Sequence, residues 1–226
     1  MLKIFFPVLL LIILSGCAAV PLQQEAVHGV AIDTLQGSVN ISLSSPAGQM
    51  SGNGVLFFKK PASFRLSILA PFGQVVFDII VAGEQVLCLS ESRKTAWQGT
   101  VADLPASLGT KVWPLLTWTV EPPHPPGPTL ERFFRRGDGT VEVVYYDTAG
   151  LVQRKVNAAG DEVFYSDYRI IDDRALPNRI EIHAAEGSRL VLTFDDPELN
   201  RPIESGILNP GLAGYEILPL NELKGF

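Results

Sequence analysis

Short runs in which apolar and polar residues alternate constrain the fold of this chain more than any other feature. The runs in its first half are residues 39–43, 54–58, 64–68, 75–81, 85–89 and 95–99. A period of two is typical of a β-strand with one buried face, and the short, Gly- or Pro-containing links between runs favour antiparallel pairing. We therefore expect a six-stranded antiparallel meander.

The period changes in the middle of the chain. Between residues 103 and 116, Leu and Val recur at helical spacing after Asp103 at the N-cap position, which predicts a helix that Pro114 should kink or divide. Residues 121–128 then contain five prolines in eight residues. Such a segment cannot be a central strand, and we expect a stiff, extended linker or exposed loop. Residues 129–134 are expected to form one helical turn.

Alternation resumes after Gly139. Five more strands are predicted at residues 141–146, 151–156, 163–171, 179–183 and 189–194, with one further short strand at residues 215–218. Ten or eleven strands interrupted once by a helix predict a mainly β fold, in which an antiparallel sheet curls into an incomplete half-barrel. The helix is expected to lie as a lid over the inner face of this sheet and to enclose an apolar cavity.

The N-terminal region has the features of a secretion signal. Lys3 precedes an unbroken apolar stretch over residues 4–14, which suits the core of a signal peptide, roughly 7–15 residues, and is shorter than the roughly 20 of a transmembrane helix. The following residues, Leu14-Ser15-Gly16-Cys17, look like a lipobox, in which small residues precede the cleavage site and the cysteine thiol takes the lipid. The alternative is an ordinary secretion signal that is cleaved near Ala18.

Cleavage before Cys17 would divide the chain into three parts. They are a lipoprotein signal peptide at residues 1–16, a lipidated tether at residues 17–26 and a single β domain at residues 27–226. Ala18 and Ala19 are not acidic, which resembles lipoproteins that are sent on to the outer membrane. We expect a lipid-anchored, periplasm-facing protein of the outer membrane of a Gram-negative bacterium.

Composition argues against several functional classes. The net charge is −6 and no Lys/Arg-rich run occurs, so nucleic acid is not an expected partner. His28, His124 and His183 are far apart and share no metal-ligand spacing, and no catalytic or phosphate-binding motif is present. We therefore predict no catalytic residue, no metal, no cofactor and no enzymatic activity. Cys88 lies in an apolar run and is expected to be a buried, inert thiol.

Two stretches carry a resemblance to a known family. Residues 54–73 (GVLFFKKPASFRLSILAPFG) resemble neighbouring strands of the LolB/LolA-like outer-membrane lipoprotein receptors: an aromatic-rich strand, an aromatic-Arg-Leu strand and a Pro-apolar-Gly turn. Residues 176–182 (LPNRIEI) and 190–194 (LVLTF) resemble the last strand pair of that family. The resemblance spans most of residues 37–200. The Pro-rich segment and the long C-terminal tail depart from the family pattern.

This resemblance implies a function. The protein would receive lipoproteins from a periplasmic LolA-type carrier, hold their acyl chains in the apolar cavity and pass them to the membrane. Phe72 occupies the turn at which the family presents an apolar side chain to the bilayer; alternatively, Phe72 folds back onto the helix. Arg65 is predicted either to face solvent or to lie at the cavity mouth. The functional alternative is a structural or envelope-assembly lipoprotein with a filled interior and no transport role.

The residues predicted to line the cavity alternate along strands or recur on one face of the helix. They are Val55, Phe57, Phe64, Leu66, Ile68, Val76, Ile80, Leu87, Leu108, Val112, Leu116, Val143, Tyr145, Leu190 and Leu192.

Overall fold

A computed structural model of the protein describes residues 32–105, 112–120, 126–127, 129–136 and 139–224. The predicted signal peptide, Cys17, the tether, Leu108 and most of the Pro-rich segment therefore lie outside the described residues.

One curled, unclosed sheet of 13 strands forms the body of the described chain. The strands are β1 (Thr34–Ser45), β2 (Gly48–Lys59), β3 (Ser63–Leu69), β4 (Val75–Ala82), β5 (Gln85–Ser90), β6 (Thr95–Thr100), β7 (Glu131–Arg135), β8 (Val141–Tyr146), β9 (Val152–Val156), β10 (Glu162–Ile171), β11 (Arg174–His183), β12 (Arg189–Leu199) and β13 (Glu216–Pro219). This architecture confirms the predicted fold class.

The order across the sheet is β13-β6-β5-β4-β3-β2-β1-β12-β11-β10-β9-β8-β7. Strand β1 joins the two halves, because it pairs with β2 on one side and with β12, near the end of the chain, on the other. All other pairs of neighbours are successive antiparallel strands except β13, which pairs parallel to β6. The two halves of the meander thus meet at the centre of the sheet.

Helix α1 (Val112–Val120) packs against the inner face of this sheet. Val112 and Trp113 are fully buried, and the Trp113 ring stacks on the Phe64 ring of β3 with 6.2 Å between centroids. Pro114 lies in the first turn, where its missing N–H would have had no intrahelical partner, so the helix continues through it. Of the helix predicted over residues 103–116, Val101–Asp103 form a 3₁₀ turn and Leu104 is extended. Residues 106–111 lie outside the described residues, so the expected kink or division at Pro114 stays a prediction. No helix in the described ranges is both long and apolar enough to cross a bilayer.

The predicted helical turn at residues 129–134 is wrong: this part of the chain is strand β7. Its five residues pair with β8 from Glu131 opposite Tyr145 to Arg135 opposite Val141. Exposure alternates along the strand, with Phe134 packed against the core and Phe133 open to solvent. An alternating pattern of this length suits an edge strand better than a helix.

The C-terminal segment covers the outer face of one half of the sheet. It contains the short helix α2 (Ser205–Leu208) and returns to the edge of the sheet as β13. Leu212 and Tyr215 pack on a second apolar cluster formed by Ile80, Leu89 and Ala96. In this half the sheet therefore buries apolar side chains on both faces.

Candidate functional site

A small apolar gap lies between α1 and the inner face of the sheet. It is lined by Leu56, Phe58, Phe64, Leu116, Thr119, Val120, Ile180, Leu192 and Phe194. The gap has room for about one water molecule, whereas ligand pockets typically measure roughly 300–1,000 Å³. The described residues beneath α1 thus leave a gap rather than the acyl-sized cavity expected from the sequence. An acyl chain could enter only if α1 moved away from the sheet.

Several of the predicted lining residues lie on this inner face. They are Phe64, Leu66, Ile68, Val112, Leu116, Leu190 and Leu192, all of which are part of the main core or pack against it. Phe64, Leu116 and Leu192 line the gap itself. These three come from β3, α1 and β12, so the site combines elements from both halves of the sheet.

Other predicted lining residues lie on the opposite face of the sheet. They are Val55, Phe57, Val76, Ile80, Leu87, Val143 and Tyr145. In β2, for example, Leu56 and Phe58 point inward and are buried, so Val55 and Phe57 must point outward. Because side chains alternate along a strand, placing the inward-facing positions one residue too early or too late exchanges the inner and outer faces. Ile80 and Leu87 are shielded instead by the C-terminal segment.

Sequence reasoning missed most of the gap lining. Leu56, Phe58, Ile180 and Phe194 were not among the predicted residues, although each lies in a predicted strand. Gly54 is the sequence feature that could have identified Leu56 and Phe58 as inward-facing, because all three residues lie on the same face of β2. A Cβ at Gly54 would lie 2.5 Å from the main-chain oxygen of Ser67 and 2.7 Å from the Ile41 side chain, so only glycine fits on this packed face.

Buried polar groups of the sheet hold the C-terminal end of α1. The Nζ atom of Lys155 donates to the main-chain oxygen of Trp118 over 3.2 Å, and the Tyr165 hydroxyl donates to the main-chain oxygen of Thr119 over 3.0 Å. The last carbonyls of a helix lack intrahelical donors, and these two contacts supply them. The indole Nε1 of Trp118 donates in turn to the Glu142 carboxylate over 2.7 Å. Lys155 and Glu142 are only 2% and 5% exposed, and no sequence pattern indicates their burial.

Arg65 faces neither open solvent nor the gap. Its Nε and Nη2 atoms donate to the two carboxylate oxygens of Asp78, each over 2.8 Å, and its Nη1 donates to the main-chain oxygen of Ile207 over 2.9 Å. Ser67 also donates to Asp78. Both expectations for Arg65 are therefore wrong, because it lies on the outer face and holds the C-terminal segment against β3 and β4.

Phe72 projects from the tight turn between β3 and β4. The turn is closed by hydrogen bonds from Ala70 N to Gln74 O and from Gly73 N to Ala70 O, with Gly73 at a φ of +81°. Phe72 is 95% exposed, so it does not fold back onto α1. An aromatic side chain in this position presents almost its whole surface to the surroundings.

The described residues contain no cluster of metal ligands, and their cysteine is buried. No group of three His, Cys, Asp or Glu side chains there could hold a metal ion. Cys88 is buried in the core. Its burial, together with the nearby charge of Asp78, raises the pKa of the thiol to about 12, which leaves it protonated at neutral pH.

The chain is similar to one protein family and to several solved structures. The model of the family "Outer membrane lipoprotein LolB" matches residues 34–196. A solved domain from Vibrio parahaemolyticus, assigned as an outer membrane lipoprotein-sorting protein, is similar with a TM-score of 0.50 at 9% identity, covering 78% of this chain and 89% of that one. A LolA superfamily protein from Nitrosomonas europaea has a TM-score of 0.47 at 15% identity, covering 83% and 95%. A search of curated proteins finds no match.

Proposed function

Because the chain belongs to the LolB family, we propose that it is an outer-membrane lipoprotein receptor that binds the acyl chains of other lipoproteins between α1 and the sheet and passes them to the membrane. The observation that carries this proposal is the apolar gap beneath α1, which is lined from β2, β3, β11, β12 and the helix itself. A hydrocarbon chain that displaced α1 would meet the same apolar surface that now faces the helix.

An entering acyl chain would offset part of the cost of moving α1 away from the sheet. Moving α1 outward exposes Val112, Trp113 and Leu116, which are at most 5% exposed in the closed arrangement. An entering acyl chain buries its own methylenes, at about 0.8 kcal/mol each, and covers the inner face of the sheet again. The receptor therefore needs no nucleotide, because the incoming chain supplies the apolar contacts that the helix gives up.

Anchoring and delivery depend on two further residues. Lipidation of Cys17 would keep the receptor at the outer membrane, facing the periplasm, where a LolA-type carrier can reach it. Phe72, with its side chain almost fully exposed at a turn tip, would enter the bilayer interface, where an aromatic side chain gains apolar contacts. Cargo release next to Phe72 would then place the acyl chains beside the lipid.

One observation favours the second candidate, a structural or envelope-assembly lipoprotein with no transport role. The gap has room for about one water molecule in the closed arrangement, as a filled interior would. The two candidates differ in whether α1 can separate from the sheet.

The test uses the Cys17→Ala form, which is expected to stay soluble. The receptor should acquire a lipoprotein from a LolA-type carrier in vitro, and mass spectrometry should detect acyl chains bound to it. Ile180→Phe fills the gap and should reduce acquisition, while the matched outer-face change Val143→Phe should not. A Cys17→Ala protein that stays empty in the presence of a loaded carrier would favour the structural candidate.

Delivery is tested separately. Phe72→Glu should leave acquisition unchanged and impair transfer into liposomes, because a carboxylate does not enter the bilayer interface. Gln74→Glu places the same charge in the same turn without removing the aromatic ring and serves as the control. Equal delivery by the wild type and Phe72→Glu would remove the proposed role of Phe72.

A further inference from the structure

Asn178 combines burial with an unused hydrogen-bonding atom. It is 6% exposed, and its Oδ1 atom is fully buried with no hydrogen-bond partner among the described residues. Buried polar atoms are almost always paired, and an unpaired acceptor lowers the stability of the fold. An acceptor without a protein partner therefore indicates an atom that pairs with an ordered water or with a group that binds.

The position of Asn178 relates it to the gap beneath α1. It lies in β11 between Leu176 and Ile180, which are both buried in the core, so its side chain points to the inner face of the sheet. Ile180 lines the gap. Alternate residues of a strand lie about 7 Å apart on the same face. Asn178 is therefore the next inward-facing residue along β11 from Ile180, which lines the gap.

We propose, on the basis of the function proposed above, that Asn178 recognises the amide N–H that links an acyl chain to its head group. A carbonyl oxygen needs a donor, and an ester linkage offers none, whereas an N-acyl linkage offers one N–H. A hydrocarbon chain lying against Ile180, Leu192 and Phe194 would bring its first polar group next to Asn178. The binding site thus has an apolar part for the chain and an acceptor for the linkage.

The hydroxyl of Tyr165 is a neighbouring donor that complements this acceptor. Tyr165 pairs directly with Ile180 across the β10–β11 ladder, and its hydroxyl donates to the Thr119 carbonyl of α1 in the closed arrangement. When α1 moves away, that hydroxyl loses this acceptor and can donate to the carbonyl oxygen of the amide. Asn178 and Tyr165 would then satisfy both polar atoms of one linkage.

Two probes that differ by a single N–H test the proposal: N-methylpalmitamide and N,N-dimethylpalmitamide. The Cys17→Ala protein should bind the monomethyl amide about tenfold more tightly than the dimethyl amide, as one hydrogen bond in a buried site provides. Asn178→Leu should abolish this preference and keep the affinity for the dimethyl amide. The same change should raise the melting temperature of the empty protein, because it removes an unpaired acceptor.

Controls separate this inference from the proposed function. Asn40→Leu makes the same chemical change on the exposed outer face of β1 and should keep the preference, and Asn178→Ala repeats the loss with a smaller side chain. Binding of both probes without a preference, or a preference that survives in Asn178→Leu and Asn178→Ala, overturns the role of Asn178 and leaves the receptor function intact. Failure to bind either probe also overturns the role of Asn178, whereas the receptor function is decided separately by acquisition of a lipoprotein from a loaded LolA-type carrier.

Discussion

Lys155 of β9 donates a hydrogen bond of 3.2 Å from its Nζ atom to the main-chain oxygen of Trp118 in α1. This lysine is 2% exposed, one of the largest fully buried side chains of the described residues. The contact joins the sheet to the C-terminal end of α1, while the N-terminal end is held by apolar packing of Trp113 on Phe64. Lys155 therefore ties to the sheet the end of α1 whose residues Thr119 and Val120 line the gap.

Removing this ammonium group should loosen α1. Lys155→Met keeps an unbranched side chain of similar length but leaves the Trp118 carbonyl without this donor, so we expect the free energy of unfolding to fall by about 1–3 kcal/mol. Hydrogen exchange of the amides in α1 should become faster. Chemical denaturation and exchange mass spectrometry measure the two effects, and the exposed Lys59→Met is the control. Unchanged exchange in α1 would show that Lys155 does not hold the helix.

The ion pair between Arg65 and Asp78 should stabilise the fold without taking part in acyl binding. Their side chains are 18% and 8% exposed, so removing either one leaves a largely buried charge, which typically costs about 3–5 kcal/mol. The double change Arg65→Ala with Asp78→Ala should therefore cost clearly less than the sum of the single changes. Chemical denaturation of the four proteins measures this coupling.

Acyl binding by whichever of these variants remain folded should be unchanged, because Arg65 and Asp78 lie on the face opposite the gap. A selective loss of acyl binding in folded Arg65→Ala would contradict this separation of the ion pair from the binding site.

Cys88 should be inert in the folded protein. Burial raises its pKa to about 12, so the folded state keeps the thiol proton at pH values where the unfolded state, with a pKa near 9.0, has lost it. The contribution of the buried Cys88 side chain to the free energy of unfolding is therefore fully present below pH 9 and declines as the pH rises from 9 to 12. In Cys17→Ala, where Cys88 is the remaining cysteine, iodoacetamide at pH 8 should label the protein only after denaturation.

The comparison for the pH effect is Cys88→Ala. The difference in the free energy of unfolding between the parent and this variant should shrink as the pH rises from 9 to 12. A difference that does not depend on pH, or rapid labelling of the native protein, would contradict a buried neutral thiol.

Alternation in the sequence predicted most of the strands because one face of this sheet is always buried. It did not identify the inner face of β2, β4, β5 and β8. In β4 and β5 the outer face is also apolar, since Ile80 and Leu89 pack beneath Leu212 and Tyr215. These contacts join residues more than 100 positions apart, and no local pattern encodes them.

The burial of single polar residues at the site could not be predicted from the sequence either. Lys155 and Asn178 lie in strands with many polar neighbours, and only the packing of α1 and the sheet shows that they are buried. Phe72 and Cys88 were easier to place, because a turn tip and an apolar strand are both local features of the sequence.

The central claim is that an acyl chain enters between α1 and the sheet, and the tryptophans of the protein can report it directly. The chain has three, and in a Cys17→Ala, Trp97→Phe protein the two that remain, Trp113 and Trp118, both lie in α1. Titration with a palmitoyl ester brominated along its chain should quench their fluorescence and reach saturation at one ligand per protein. Adding an excess of the same ester without bromine should restore the fluorescence. Fluorescence that stays unquenched would show that the interior remains closed to hydrocarbon chains and would contradict the account.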